Sequence, residues 1–193
     1  SESGGSTQSN TASGLIEKAT KQLRLGDFRA ALESVDEAIE RDHGYGQAWS
    51  LKARLVAADG GSTKDALKCI KRANALGEYT VILESEILDN DGRADAAIEV
   101  LEEHLSRTPG DAEARGKVSQ LWLASGSAES ALKTLDEAPE DSWNTATLHV
   151  MRGRLSLVES DLHRDETGKI DPIPVIDALS SFDKAVELDR ESG

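Results

Sequence analysis

Four glycines, Gly26, Gly60, Gly92 and Gly126, recur at intervals of 34, 32 and 34 residues, each followed a few residues on by an alanine-rich amphipathic run. This spacing constrains the fold more than any single motif does. Self-similarity with a period of about 20 to 50 residues marks supersecondary units that each bury an apolar face only against the next, so the chain stacks into a solenoid. Composition agrees. Aromatic residues make up 4% of the chain and Pro only 4 of its 193 residues, which leaves little sheet-forming material beside the abundant Ala, Leu, Glu and Lys.

The first copy reads LIEKATKQLRLGDFRAALESVDEAIERD from Leu15. Leu15, Ala19 and Leu23 share one stripe, and Phe28, Ala31, Val35, Ala38 and Ile39 share a second. Between them Gly26 supplies a permissive turn and Asp27 an N-cap. The second stripe returns as Ala66, Ile70 and Ala73, then as Ala97, Leu101 and His104 with Pro109 closing the unit. It returns again as Ala131, Leu135 and Ala138, and last as Ala178, Phe182 and Ala185. Small residues recur because helices that cross closely leave no room for longer side chains. The first helices agree less. They carry Trp49 and Ala53 in the second copy, Val81, Leu83, Ser85, Ile87 and Leu88 in the third, and Val118, Ser119, Leu121 and Trp122 in the fourth.

This pattern resembles the tetratricopeptide repeat (TPR) family, whose second-helix signature is similar to GDFRAALESVDEAIERD, and it stays in phase over about residues 12 to 190. The resemblance implies an all-α fold, a right-handed superhelical solenoid of antiparallel helix pairs. The expected units are about 14–44, 45–77, 78–111, 112–142 and 143–190. Residues 1–13 are Ser-, Gly- and Thr-rich and cannot offset their ordering entropy by burial, so they read as a disordered tail or a cloning remnant.

Departures from the family pattern fall at definite places. Gly60-Gly61 lengthens one turn, 31 residues separate Ala66 from Ala97, and His104 stands at a small-residue position, where a packed or edge-exposed histidine is expected. The interval from Ala131 to Ala178 is 47 residues, and the excess is expected as an inserted charged loop near 159–174. Pro172 and Pro174 should stop a helix before them, with Pro174 able to open the last helix.

No catalytic residues are expected. His43, His104, His149 and His163 have no partners at metal-ligand spacing, and no HExxH, CxxC or phosphate-cradling glycine loop occurs. Asp89-Asn90-Asp91-Gly92 superficially suggests a calcium loop, yet Ile87 and Ile98 occupy positions that need acids, so a capped turn is expected instead. Asp161, His163, Asp165, Glu166 and Asp171 crowd one loop without matching a known cage, and a solvated loop is expected there. The reading is therefore no metal and no cofactor. Cys69 alone can form no disulfide within the chain and reads as a small core residue. A formal charge of −14 disfavours nucleic acid, and no stretch approaches the roughly 20 apolar residues of a membrane span. With no leader visible, the cytoplasm is the favoured compartment.

What the resemblance implies about function is a concave face lined by first helices. Its positions are Ser13, Ile16, Glu17 and Thr20, then Gln47, Ser50, Leu51 and Arg54, then Tyr79, Ile82, Leu83 and Glu86. Glu113, Gly116, Lys117 and Gln120 follow, and finally Thr147, Val150, Met151 and Arg154. The expected partner-contacting set is Gln47, Ser50, Arg54, Ile82, Leu83, Glu86, Lys117, Gln120, Val150, Met151 and Arg154. Arg54, Lys117 and Arg154 beside Ile82, Leu83 and Met151 imply a protein or peptide ligand with apolar anchors and acidic groups. Ile16, Thr20 and Leu51 stand where chaperone-tail-binding TPR proteins use Asn and Lys, so that ligand is not expected. The alternative is a self-associating array that uses a C-terminal face with Ile176, Leu179 and Val186.

Overall fold

The computed structural model describes residues 11–162 and 172–192, with side chains described for 11–158 and 173–192. The described residues form ten α-helices and one 3-10 turn, with no strand among them. In chain order the helices are α1 (Ala12–Arg24), α2 (Phe28–Arg41), α3 (Gly46–Ala58), α4 (Thr63–Ala75) and α5 (Val81–Asn90). They continue as α6 (Ala94–Arg107), α7 (Ala112–Ala124), α8 (Ala128–Asp136), α9 (Ala146–Leu162) and α10 (Pro172–Ser192). The chain divides into two compact units, one up to Arg93 and the other from Ala94.

The recurrent glycines act at helix ends. Gly26 has φ +78°, its N–H donates to Leu23 O, and the N–H of Asp27 donates to Gln22 O. That pair of bonds is a Schellman motif, which satisfies carbonyls the helix leaves open and needs a left-handed residue at its centre. Gly92 and Gly126 repeat it after α5 and α7, and Gly77, outside the glycine period, ends α4 the same way. Asp27 then accepts from Ala30 N at 3.0 Å and starts α2.

In the first unit, α1 packs on α2 and α3 on α4, while α3 also meets α2 and α5 meets α4. Ala31, Val35, Ala38 and Ile39 from α2 are buried with Leu15, Ile16 and Ala19 from α1 and Ala48 and Leu55 from α3. Val35 and Ile39 each contribute about 1.5–3 kcal/mol by burial, whereas the alanines contribute mainly by letting the helices approach. A second cluster joins Ala53, Ala66, Cys69, Ile70 and Ile87, and Trp49 packs against both. At the end of α5, Asp91 Oδ1 accepts from Thr63 Oγ1 at 2.8 Å, so the acidic run there ties its turn to α4.

In the second unit, α6 meets α7, α7 packs on α8, and α9 packs on α7, α8 and α10. Its core centres on Ala131, Leu135, Leu148, Met151 and Leu155. Two glycines permit close crossings: a Cβ at Gly116 would stand 2.7 Å from Thr147 Cγ2, and one at Gly153 would stand 2.7 Å from Phe182 Cε1. His104 holds Asp111 Oδ2 at 2.7 Å through Nε2, while Asp111 Oδ1 accepts from Ala114 N and caps α7. The histidine at a small-residue position thus braces the start of the next helix.

Two helix starts differ from the sequence expectation. α1 begins at Ala12, within the stretch read as a tail, because Thr11 accepts from Gly14 N at 3.1 Å and caps it. α10 begins at Pro172 rather than at or after Pro174. Both prolines lie in the first turn, where a missing N–H costs nothing because that N–H has no intrahelical partner. The expected charged loop, with His163, Asp165, Glu166 and Asp171, lies outside the described residues; Asp161 belongs to the last turn of α9, its side chain likewise outside.

Candidate functional site

First helices lie beside one another within each unit: α1 next to α3, α3 next to α5, and α7 next to α9. Between α1 and the start of α3 an open cleft of about 580 Å³ is lined by one full stripe of α1, namely Ser13, Ile16, Glu17, Thr20, Lys21 and Arg24. Tyr45 and Gln47 form its other wall, with Tyr45 OH donating to Gln47 Oε1 at 3.0 Å. The stripe follows from helical spacing, since residues three and four apart share a face. Ile16 is nearly buried against the core, and Thr20 Oγ1 donates back to Ile16 O at 2.8 Å, so both present little polar demand of their own.

The structure brings together Ser13, Ile16, Glu17, Thr20 and Gln47 of the expected surface in that cleft. Elsewhere on α3, Arg54 is exposed, Ser50 is half-buried with Oγ 3.5 Å from Gly46 O, and Leu51 packs onto the α1–α2 core. On α5, Ile82 and Glu86 are half-buried, and Leu83 packs against the Ala53–Ile87 cluster. In the second unit Gln120 and Arg154 are exposed, and Lys117 and Val150 are half-buried.

Met151 does not offer the expected anchor. It is 5% exposed and belongs to the core with Leu135 and Leu148. The reason is Gly116: without a side chain there, α7 and α9 approach so closely that Met151 Cγ would lie 3.8 Å from a Cβ at 116. Gly116 is itself buried rather than groove-lining.

Sequence reading missed Lys21, Arg24 and Tyr45 as cleft residues. The signal was present, because Lys21 and Arg24 continue the Ser13–Glu17–Thr20 stripe by one further turn. It also missed Arg115, a cation 4% exposed inside the second unit. Among the described residues no group of three His, Cys, Asp or Glu side chains could hold a metal ion, and no helix is long and apolar enough to cross a membrane.

Antiparallel helix pairs joined by Gly-centred turns, with small residues at each crossing, define an α-helical repeat protein. Two family models, both described as tetratricopeptide repeat, match residues 16–78 and 90–149. The chain belongs to the tetratricopeptide repeat family. Similar solved structures include a tetratricopeptide repeat protein from Parabacteroides merdae, at TM-score 0.64 and 16% identity over 95% of this chain and 67% of that one. TTC0263, a thermophilic TPR protein of Thermus thermophilus, gives TM-score 0.60 and 20% identity over 92% and 91%. YrrB, a TPR protein with an unusual peptide-binding site, gives 0.51 and 18% over 93% and 87%. At these identities the likeness is one of fold. No curated protein matches the sequence.

Proposed function

We propose that the protein is a non-enzymatic scaffold that binds a peptide or protein segment on the first helices of its repeats. The family is a protein-interaction fold, and YrrB, similar in fold, is described as having a peptide-binding site. The observation that carries the reading is the α1–α3 cleft, an open concavity between neighbouring first helices. In the first unit the contacting residues are Gln47, Ser50, Arg54, Ile82, Leu83 and Glu86; in the second they are Lys117, Gln120, Val150 and Arg154. The ligand carries apolar anchors and acidic groups, matched to Arg54, Lys117 and Arg154 on a chain whose formal charge is −14.

Selection from a peptide library on the immobilised protein, followed by titration of the winning peptides, tests this. Arg54→Glu with Lys117→Glu should weaken them by tenfold or more. Peptides that bind equally to the variant, or a library that yields no saturable binder, would remove the reading.

One observation favours a second reading, self-association through the last helix. Ile176, Leu179 and Val186 are 61%, 60% and 50% exposed and share one face of α10. Light scattering across a hundredfold range of protein concentration decides it: a constant monomer mass excludes the array.

A further inference from the structure

Lys21 and Arg24 stand one helical turn apart on α1, and both line the α1–α3 cleft. Elsewhere several cations of this acidic chain pair with neighbouring acids. Arg29 meets Glu33, Arg41 meets Glu37, Lys68 meets Asp65, Lys52 meets Asp36 and Arg152 meets Asp136, each within 4.0 Å. Among the described residues neither Lys21 nor Arg24 has a carboxylate at that distance. Glu17 is the one acid in the cleft lining, which thus carries two cations to one acid on a molecule with 36 acidic and 22 basic residues; Glu78 stands against Gly46 at the cleft wall.

We infer that the α1–α3 cleft is the acid-reading end of the peptide surface, where Lys21 and Arg24 take carboxylates of the bound segment. This rests on the peptide-binding reading above and adds to it the place and chemistry of one subsite. Residues three apart on a helix rise by about 4.5 Å, and side chains two apart on an extended strand sit about 6.6 Å apart on one side. Long, flexible Lys and Arg side chains span that difference, so the fitting segment is extended with acids at alternate positions. Between those acids its backbone meets Gln47. The amide oxygen of Gln47 already accepts from Tyr45, which leaves its NH₂ group to donate to a peptide carbonyl. Ile16, nearly buried in the core, forms the apolar floor of the cleft. Lys21 and Arg24 are both exposed, so their pairing with the ligand is sensitive to salt.

The test uses the full chain and two fluorescein-labelled decapeptides, one alternating Glu and Leu and the other alternating Gln and Leu, read by anisotropy. The Glu peptide should bind at least tenfold more tightly, and its affinity should fall as salt rises. Lys21→Glu with Arg24→Glu should cut that affinity tenfold or more, and Lys21→Gln with Arg24→Gln by a smaller factor. Lys18→Glu, on α1 but outside the cleft, should change it less than twofold. Circular dichroism checks that each variant keeps its helicity. Equal binding of the two peptides, no binding of either, or an equal loss with Lys18→Glu overturns the inference. If Arg54→Glu abolishes binding while the Lys21/Arg24 reversal does not, the acid-reading subsite falls and the peptide surface stands. If neither change matters and the library selection also fails, both fall.

Discussion

Arg115 Nη1 donates to the carbonyl of Thr134 at 2.7 Å, and Nη2 donates to the carbonyl of Pro109 at 2.9 Å, so one guanidinium of α7 closes the end of α8 and the turn after α6. Thr134 lies in the last turn of α8, where carbonyls lack intrahelical partners and a cation meets the negative end of the helix dipole. Burial lowers the pKa of Arg115 from its ordinary value, with the charge of Glu137 opposing the drop. Arginine nevertheless stays ionised at neutral pH, and two charge-assisted bonds compensate its desolvation.

Arg115→Ala should therefore cost about 3 kcal/mol or more, because it leaves two carbonyls without their donor and opens a hole in the second unit. Arg115→Lys should recover only part of this, since a single ammonium is a point charge without the fork that reaches both oxygens. Urea midpoints of the three proteins check the order. Equal stability of the Ala variant and the parent would contradict the role assigned to the guanidinium.

Gly153 and Phe182 give a sharper test of packing. A Cβ at 153 would lie 2.7 Å from Cε1 and 2.8 Å from Cζ of the ring, which overpacks the α9–α10 crossing at a cost of about 1–3 kcal/mol. Alanine in a helix also gains about 1 kcal/mol over glycine. Gly153→Ala alone should thus be neutral to destabilising by about 2 kcal/mol. In a Phe182→Ala background the same change should stabilise by about 1 kcal/mol, because only propensity remains. A thermal-melt cycle without that reversal of sign would mean that the helices do not meet at this pair.

Gly126 isolates the backbone contribution. It has φ +85°, and nothing lies within 4 Å of where a Cβ would stand, so Gly126→Ala carries strain but no clash. The expected cost is about 1–2 kcal/mol, with Gly126→Asn losing less. Chemical denaturation of both variants provides the comparison.

Cys69 is buried, and burial pushes its thiol above the usual value, with Lys52 pulling weakly the other way. The folded state therefore keeps a proton that the unfolded chain loses. The resulting stabilisation is full below the unfolded pKa of about 8.5 and declines as pH rises past it toward the folded value. Comparison of the parent with Cys69→Ala in urea should show the parent's relative stability falling between pH 7 and pH 10. Native protein should also react with a thiol reagent far more slowly than protein in denaturant, and rapid labelling of the native state would refute this burial.

Much of the fold was legible because the repeat writes its geometry into small residues. Ala31, Ala66, Ala97, Ala131 and Ala178 all prove buried at helix crossings, as their phase requires, while Ala138 is only half-buried because α8 stops two residues earlier, at Asp136. Less of the site was legible. A stripe on a helical wheel tells which residues share a face but not how near the neighbouring helix comes. Met151 went from expected surface to core for that reason, through a glycine on another helix. Arg115 escaped notice because its partners are backbone carbonyls, which carry no side-chain signature. Lys21 and Arg24 lie beyond the expected surface, which starts at the N-terminal end of each first helix and stops at Thr20 in α1, whereas the cleft runs to the end of α1.

Trp49 packs against the cluster of α1, α2 and α3 and against that of α3, α4 and α5. A linear array has no shared centre to make its parts melt together, so cooperativity must be handed from each pair to the next. In the first unit α3 makes that hand-over, and one indole on it sits against both clusters. Fraying that starts at the first helix pair cannot spread to the second without withdrawing the same ring from both, and its fluorescence would register the loss of either neighbour.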